Sequence, residues 1–199
     1  MGRNYTLRTK AAQGTRTVTR SIARQATTLG TTLGVFWTAF AANTVLGGAL
    51  LQFGIIPRNL VGLRGIVFAP FLHGNLQHLV ANTFPFLALG WMVMWRDARH
   101  FLPVTLFAML GSGLCAWLLG APGTVHIGAS GVVFGYLGFL LLAGVYARSV
   151  GSILLSLVTA ALWGGLVLGI APGQVGISWQ AHLGGFVGGV LAARFFRKR

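Results

Sequence analysis

The sequence predicts an all-α membrane protein of six transmembrane helices, on three observations. Hydrophobic residues make up 55% of the 199 and charged residues only 8%, whereas a soluble domain uses about 25% charged residues to cover its water-facing surface. The apolar residues fall into six runs, each near the ~20 residues that cross a bilayer as a helix. The 30 glycines suit helices that approach closely through small residues.

Residues 1–30 are polar, rich in Thr and free of acid, with Arg3, Arg8, Lys10, Arg16, Arg20 and Arg24. They read as a basic, flexible cytoplasmic tail against anionic lipid headgroups. The same composition also describes a mitochondrial transit peptide, and residues 31–42 resemble a signal-peptide core. The apolar run continues to Phe53, too long for a cleaved signal, so a retained first span is expected.

The six spans are expected at Thr31–Phe53, His78–Trp95, Phe101–Leu119, Ser130–Tyr146, Gly151–Ile170 and Trp179–Phe196. The helical domain therefore covers 31–196, with 197–199 a basic cytoplasmic C-terminus. The longest connection, Gly54–Gln77, contains Pro57, Pro70 and a semi-apolar run from Ile66 to Leu72. That pattern predicts a membrane-embedded outer loop between helices 1 and 2.

Charge orients the chain. With the N-terminus in the cytoplasm, that side holds the six basic residues of the tail, Arg96, Arg99, Arg148, Arg194, Arg197, Lys198 and Arg199. Of the 15 basic residues only Arg58 and Arg64 remain outside. The positive-inside rule therefore places both termini in the cytoplasm. The net charge of +14 is a topology signal and not a nucleic-acid footprint, because the basic residues cap apolar spans instead of lining one soluble face. Six spans with no extra leading helix favour a bacterial plasma membrane over an organelle. Cys115 stands alone, which excludes an intrachain disulfide and suggests packing.

Polar groups inside apolar spans are functional candidates by default. Asp97 is the only acid, so two-carboxylate protease and glycosidase chemistry is excluded. No His-Glu-x-x-His is present, and neither metal nor cofactor is expected.

Serine chemistry remains. Ser130 opens span 4 between Gly128 and Gly131, at the positive end of the helix dipole. His182 lies about one turn into span 6, at matching depth. Gly131 and Gly135 on one helix, and Gly184, Gly185, Gly188 and Gly189 on the other, permit the approach that a Ser–His hydrogen bond of about 3 Å needs. A helix cap for Ser130 and a packing role for His182 would account for each residue taken singly. His78 and Asn82, four apart on one helix face, supply two donors at the same outer depth. With the Ser130 N–H they would form an oxyanion hole. His126 is expected in a solvated loop, and His100 on the cytoplasmic side.

His73, His78 and Asn82, then Gly128-Ala129-Ser130-Gly131, then Ala181-His182 with Gly185, occur in order on spans 2, 4 and 6. This ordered set resembles the rhomboid intramembrane serine proteases over about residues 31–196. The resemblance implies Ser130 as nucleophile, His182 as general base, and His78, Asn82 and the Ser130 amide as oxyanion stabilisers. It implies supporting roles for His73, for Gly128 and for Phe134, whose ring would pack on the imidazole. One departure is the outer loop. Relatives often carry a Trp-Arg pair there, whereas Trp95-Arg96 falls at the other end of span 2. Arg58 and Arg64 are read instead as headgroup anchors.

The implied activity is cleavage of transmembrane segments of other membrane proteins through an acyl-enzyme. Substrate would enter laterally beside span 5. Water would enter through a polar outer cavity lined by His73, His78, Asn82 and Gln180. The alternative is a catalytically silent rhomboid-like protein that binds and escorts transmembrane helices. A channel or transporter fits less well, because the polar groups cluster at one point and line no path.

Overall fold

A computed structural model describes residues 2–174 and 176–197, with side chains from residue 18 onward. The described chain is all-helical, without strands. Its long helices are α1 (Gly2–Val45), α3 (Leu76–Asp97), α4 (Phe101–Leu119), α5 (Ser130–Ala147), α6 (Val150–Trp163) and α7 (Trp179–Phe195); α2 (Gly65–Phe68) is a single turn. By length and composition, three segments are apolar enough to cross a membrane: Leu76–Leu119, which takes in both α3 and α4, Ser130–Ala147, and Val150–Ile170.

The first helix differs from expectation at both ends. It begins at Gly2 and runs through the segment expected to be a tail. That segment has no proline and many good helix formers (Ala, Arg, Gln, Leu), so nothing in it stops a helix. At the other end α1 closes at Val45, because Gly47 and Gly48 take left-handed φ of 62° and 89°. The Asn43 side chain then accepts from the Leu50 N–H at 3.0 Å, and a 3₁₀ turn follows at Ala49–Phe53.

The connection from α1 to α3 is a string of short helical turns. Arg58 and Arg64 hold it to the protein. Arg58 donates to the Gly120 carbonyl at 2.9 Å. Arg64 donates to the Gln52 carbonyl at 3.0 Å and covers the Phe53 ring. Their guanidinium groups thus satisfy loop carbonyls, a role beyond the expected one at the headgroups.

α5 forms the core, with Tyr136, Leu137 and Leu140 fully buried, and α3, α4, α6 and α7 pack around it. α7 is wedged between α4 and α5 on two glycine faces. A Cβ at Gly184 or Gly188 would lie 2.2–2.3 Å from the backbone oxygens of Gly111 or Phe107 in α4. One at Gly185 or Gly189 would lie 1.9 or 1.8 Å from those of Gly131 or Gly135 in α5. Each face is one small residue per turn, and the two faces are offset by one position, so one helix meets two neighbours at backbone contact. Tyr136 and Thr105 share a 2.7 Å hydrogen bond that satisfies the buried phenol between α5 and α4.

Candidate active site

Ser130 is positioned from its N-terminal side. His126 and Ile55 pair as an isolated antiparallel bridge, with both N–H···O distances 2.9 Å. Gly128, at φ +111°, donates its N–H to the Ala69 carbonyl at 2.8 Å. The strand-like bridge and the left-handed glycine turn the chain into α5 at a fixed place against the α1–α3 connection. Ser130 is the first residue of α5, so its N–H is among the donors that a helix leaves without an internal partner.

His182 is positioned by α7. Ser178 caps that helix, accepting from the Ala181 N–H at 3.3 Å. The glycine face then brings the imidazole against α5. His182 Nε2 lies 2.8 Å from Ser130 Oγ. Its Nδ1 lies 2.9 Å from the Gly169 carbonyl oxygen. A carbonyl can only accept, so Nδ1 carries the proton and Nε2 is the free lone pair that accepts from Ser130 Oγ–H. Phe134 stacks on the imidazole at 4.1 Å with 10° between the ring planes. The histidine is 7% exposed. Ring stacking on one side and a fixed acceptor at Nδ1 leave the imidazole one orientation, the one that faces the serine.

His78 approaches the same place. Asn75 caps α3 by accepting from the His78 N–H at 2.8 Å. The His78 ring lies against Gly128, where an added Cβ would come within 2.6 Å of its Nε2. Gly128 therefore has two reasons to be glycine, its φ and this contact. Asn82, one turn on, is buried and donates to the His78 carbonyl at 2.8 Å, which uses one of its two amide protons.

The expected polar cavity lined by His73, His78, Asn82 and Gln180 is corrected. His73 is fully buried, its ring 5.6 Å from Phe36 and 5.1 Å from His78. Gln180 turns instead to the end of α4, donating to the Leu119 carbonyl at 3.4 Å. Burial first, and His78 second, push the His73 imidazole down to about 4, against the favourable Phe71 carbonyl. His73 is therefore a neutral packing partner that backs the His78 ring.

Two contributors were not found from the sequence. The Gly169 carbonyl gave no signal, because a backbone acceptor is independent of residue type. Its glycine is nevertheless required, since a Cβ there would lie 2.9 Å from the Phe134 ring and 3.3 Å from His182 Nδ1. The second is His126, expected to be solvated. Thr124 donates its hydroxyl to the Ala121 carbonyl at 2.6 Å and so accepts from His126 Nε2–H at 3.0 Å. His126 Nδ1 is then left to accept from the Ser178 hydroxyl at 2.6 Å. The chain ties the segment four residues before Ser130 to the residue four before His182. A loop histidine with a serine at the other helix start was a visible signal, but it needed the fold to pair them. Burial pushes the His126 imidazole below its ordinary value, which keeps it neutral and able to accept.

A serine hydrogen-bonded to a carbonyl-oriented histidine, held by glycine contacts inside an apolar helical bundle, defines a class of membrane proteins and not a soluble hydrolase. The chain belongs to the rhomboid family: the family model described as Rhomboid domain matches residues 61–199. It is 41% identical over 175 residues to uncharacterized protein Rv1337 of Mycobacterium tuberculosis, covering 84% of this chain and 73% of that one. It is 33% identical over 144 residues to rhomboid-like protease 5 of Toxoplasma gondii, covering 67% of this chain and 16% of that one. To rhomboid-like protein 11, chloroplastic, of Arabidopsis thaliana it is 37% identical over 70 residues, covering 35% of this chain and 25% of that one.

Proposed function

We propose that this protein is an intramembrane serine endopeptidase of six transmembrane helices that cleaves transmembrane segments of other membrane proteins. In this reading both termini face the cytoplasm of a bacterial plasma membrane and Ser130 lies toward the outer side. The observation that carries it is the 2.8 Å contact between Ser130 Oγ and His182 Nε2, with Nδ1 already committed to the Gly169 carbonyl. A helix cap or a packing histidine needs neither contact in this directional order.

Ser130 Oγ attacks the substrate carbonyl carbon as its proton passes to His182 Nε2. The oxyanion is held by the Ser130 N–H, by His78 and by the second amide proton of Asn82. Preorganised donors of this kind contribute about 3–4 kcal/mol each to the barrier. Collapse expels the amine, which takes the proton from His182 and leaves the acyl group on Ser130. Water then gives a proton to the same nitrogen, attacks the ester and releases a carboxylic acid. The Gly169 carbonyl supports the imidazolium in the place an acid would occupy; being neutral, it stabilises that charge less than a carboxylate would. Substrate enters beside α6, whose apolar surface is largely unburied.

Labelling with a fluorophosphonate probe tests the nucleophile. The folded parent protein is expected to label and Ser130→Ala is not. Equal labelling of both would remove Ser130 from the reaction, and absence of labelling in folded parent would favour the silent escort.

A further inference from the structure

We propose that the surface trough between α4 and α7, away from the Ser–His pair, binds one anionic phospholipid. Two apolar stripes face each other along antiparallel helices. Leu106, Leu110 and Leu114 follow one another at four-residue spacing on α4, as do Leu183, Val187 and Leu191 on α7. The trough has a volume of about 850 Å³. Its floor is low because the helices meet there through Gly111, Cys115, Gly184 and Gly188. The glycine face that lets α7 reach its neighbours thus also leaves a furrow along its back. Leu106, Leu110, Leu114, Val187 and Leu191 are exposed.

The occupant follows from the end of the furrow. It runs past Phe107 and Leu191 into a second hollow of about 710 Å³, lined by those two residues, Phe195, Arg194 and Arg197. Both arginines are exposed. No side-chain carboxylate neutralises them: Asp97 is the only acid in the chain, and Arg99 holds it at 2.7 Å. A long apolar furrow ending in two guanidinium groups matches a lipid with a negative phosphodiester head and acyl tails. The arginines take the phosphate in charge-assisted hydrogen bonds, and the leucine stripes take a tail. The charge bias of the sequence puts this end at the cytoplasmic leaflet, where anionic lipids attract basic side chains. An apolar transmembrane helix of another protein supplies no negative group at that end, and a second copy of this chain has no side-chain carboxylate but Asp97, which Arg99 already holds. The inference needs α4 and α7 to lie in a bilayer; it does not need the protein to be a protease.

The test is native mass spectrometry of the whole chain released from membranes of equal phosphatidylglycerol and phosphatidylcholine with the same tails. The parent is expected to retain one phosphatidylglycerol per monomer, preferred about tenfold or more over phosphatidylcholine, given the effect of two basic side chains at a headgroup. Arg194→Gln/Arg197→Gln should abolish the preference. Arg197→Gln alone, at an exposed site with little bearing on folding, should weaken it. Arg20→Gln/Arg24→Gln, in a second cationic hollow that meets the furrow only at Leu102, should leave it intact. The proposal is overturned if the parent shows no preference, if either Arg194/Arg197 variant retains the full preference, if only the Arg20/Arg24 variant loses it, or if the parent is a lipid-free dimer. Because cleavage is not the readout, failure here leaves the Ser130 assignment standing, and loss of labelling at Ser130 leaves this site standing.

Discussion

Two apolar segments that follow one another in the chain are packed in opposite ways. Of the apolar window in Ser130–Ala147, 67% of residues are buried, against 6% in Val150–Ile170. Composition does not separate them, since both are rich in Leu, Val, Ala and Gly. What separates them is whether the small residues meet a neighbour. A Cβ at Gly131, Gly135 or Gly138 would strike Ser112, Ala108 or the Phe186 carbonyl, whereas Gly151, Gly164 and Gly165 have nothing within 4 Å. The second segment is held to α5 by few polar contacts, chiefly Ser156, which donates to the Leu140 carbonyl at 2.6 Å and accepts from the Gly144 N–H at 3.0 Å. Ser130 thus sits at the start of a buried helix. The carbonyl that orients His182, that of Gly169, sits at the end of a largely exposed one. Under the proposed lateral entry beside α6, movement of this segment would also release His182 Nδ1 from the Gly169 carbonyl.

The largest expected effect breaks the packed side of this contrast. Gly185→Val places a side chain where only backbone fits and should destabilise the bundle by about 3 kcal/mol or more. Gly151→Val, with open space around it, should change stability by less than about 1 kcal/mol. Equilibrium unfolding in mixed micelles compares them, and similar losses would show that glycine contact is not what separates the two segments.

Next is the imidazole. Phe134→Ala removes the stacked ring and should lower cleavage about 10- to 100-fold at nearly unchanged KM, whereas Phe134→Tyr keeps the face and should stay within about threefold. A KM-only change would place Phe134 in substrate binding.

A smaller effect loosens α6. Ser156→Ala removes two hydrogen bonds, costs about 1 kcal/mol, and should raise the cleavage rate of a transmembrane substrate if α6 must move; a slower rate would argue that Gly169 needs α6 in place.

The smallest concerns His126. His126→Ala should cost about 1 kcal/mol and lower kcat severalfold through the α5–α7 tie. The folded protein holds this imidazole below its ordinary value, so its contribution is complete above the ordinary histidine range and is lost as pH falls through the lowered value. The variant should be less pH-sensitive in stability below about pH 6.5 than the parent.

The sequence made α4 legible at both ends and α5 and α7 to within a residue, because apolar length and N-terminal polar residues mark such helices. It also made Ser130 and His182 legible as a pair, because glycine spacing suggested which helices approach; Phe134 joined them only through the resemblance to the rhomboid proteases. Five things were not legible. The reach of α1 to Gly2 depends on the absence of breakers in a segment whose composition reads as tail. The break of α6 into a 3₁₀ segment at Gly164–Ile170 depends on how its glycines pack. His73 reads as a polar loop residue and is fully buried, because ring packing against Phe36 and His78 has no local sequence pattern. The Gly169 carbonyl and the His126–Ser178 tie are contacts between segments far apart in the chain, and no spacing rule reaches them.

The central claim is that Ser130 and His182 act as one proteolytic unit. Its most direct measurement is cleavage of a transmembrane test substrate in liposomes by the parent, Ser130→Ala and His182→Ala, each shown to be folded. Each single substitution, and the double, should abolish cleavage by about the same factor, on the order of 10³ or more. Cleavage by either variant at the parent rate would contradict it.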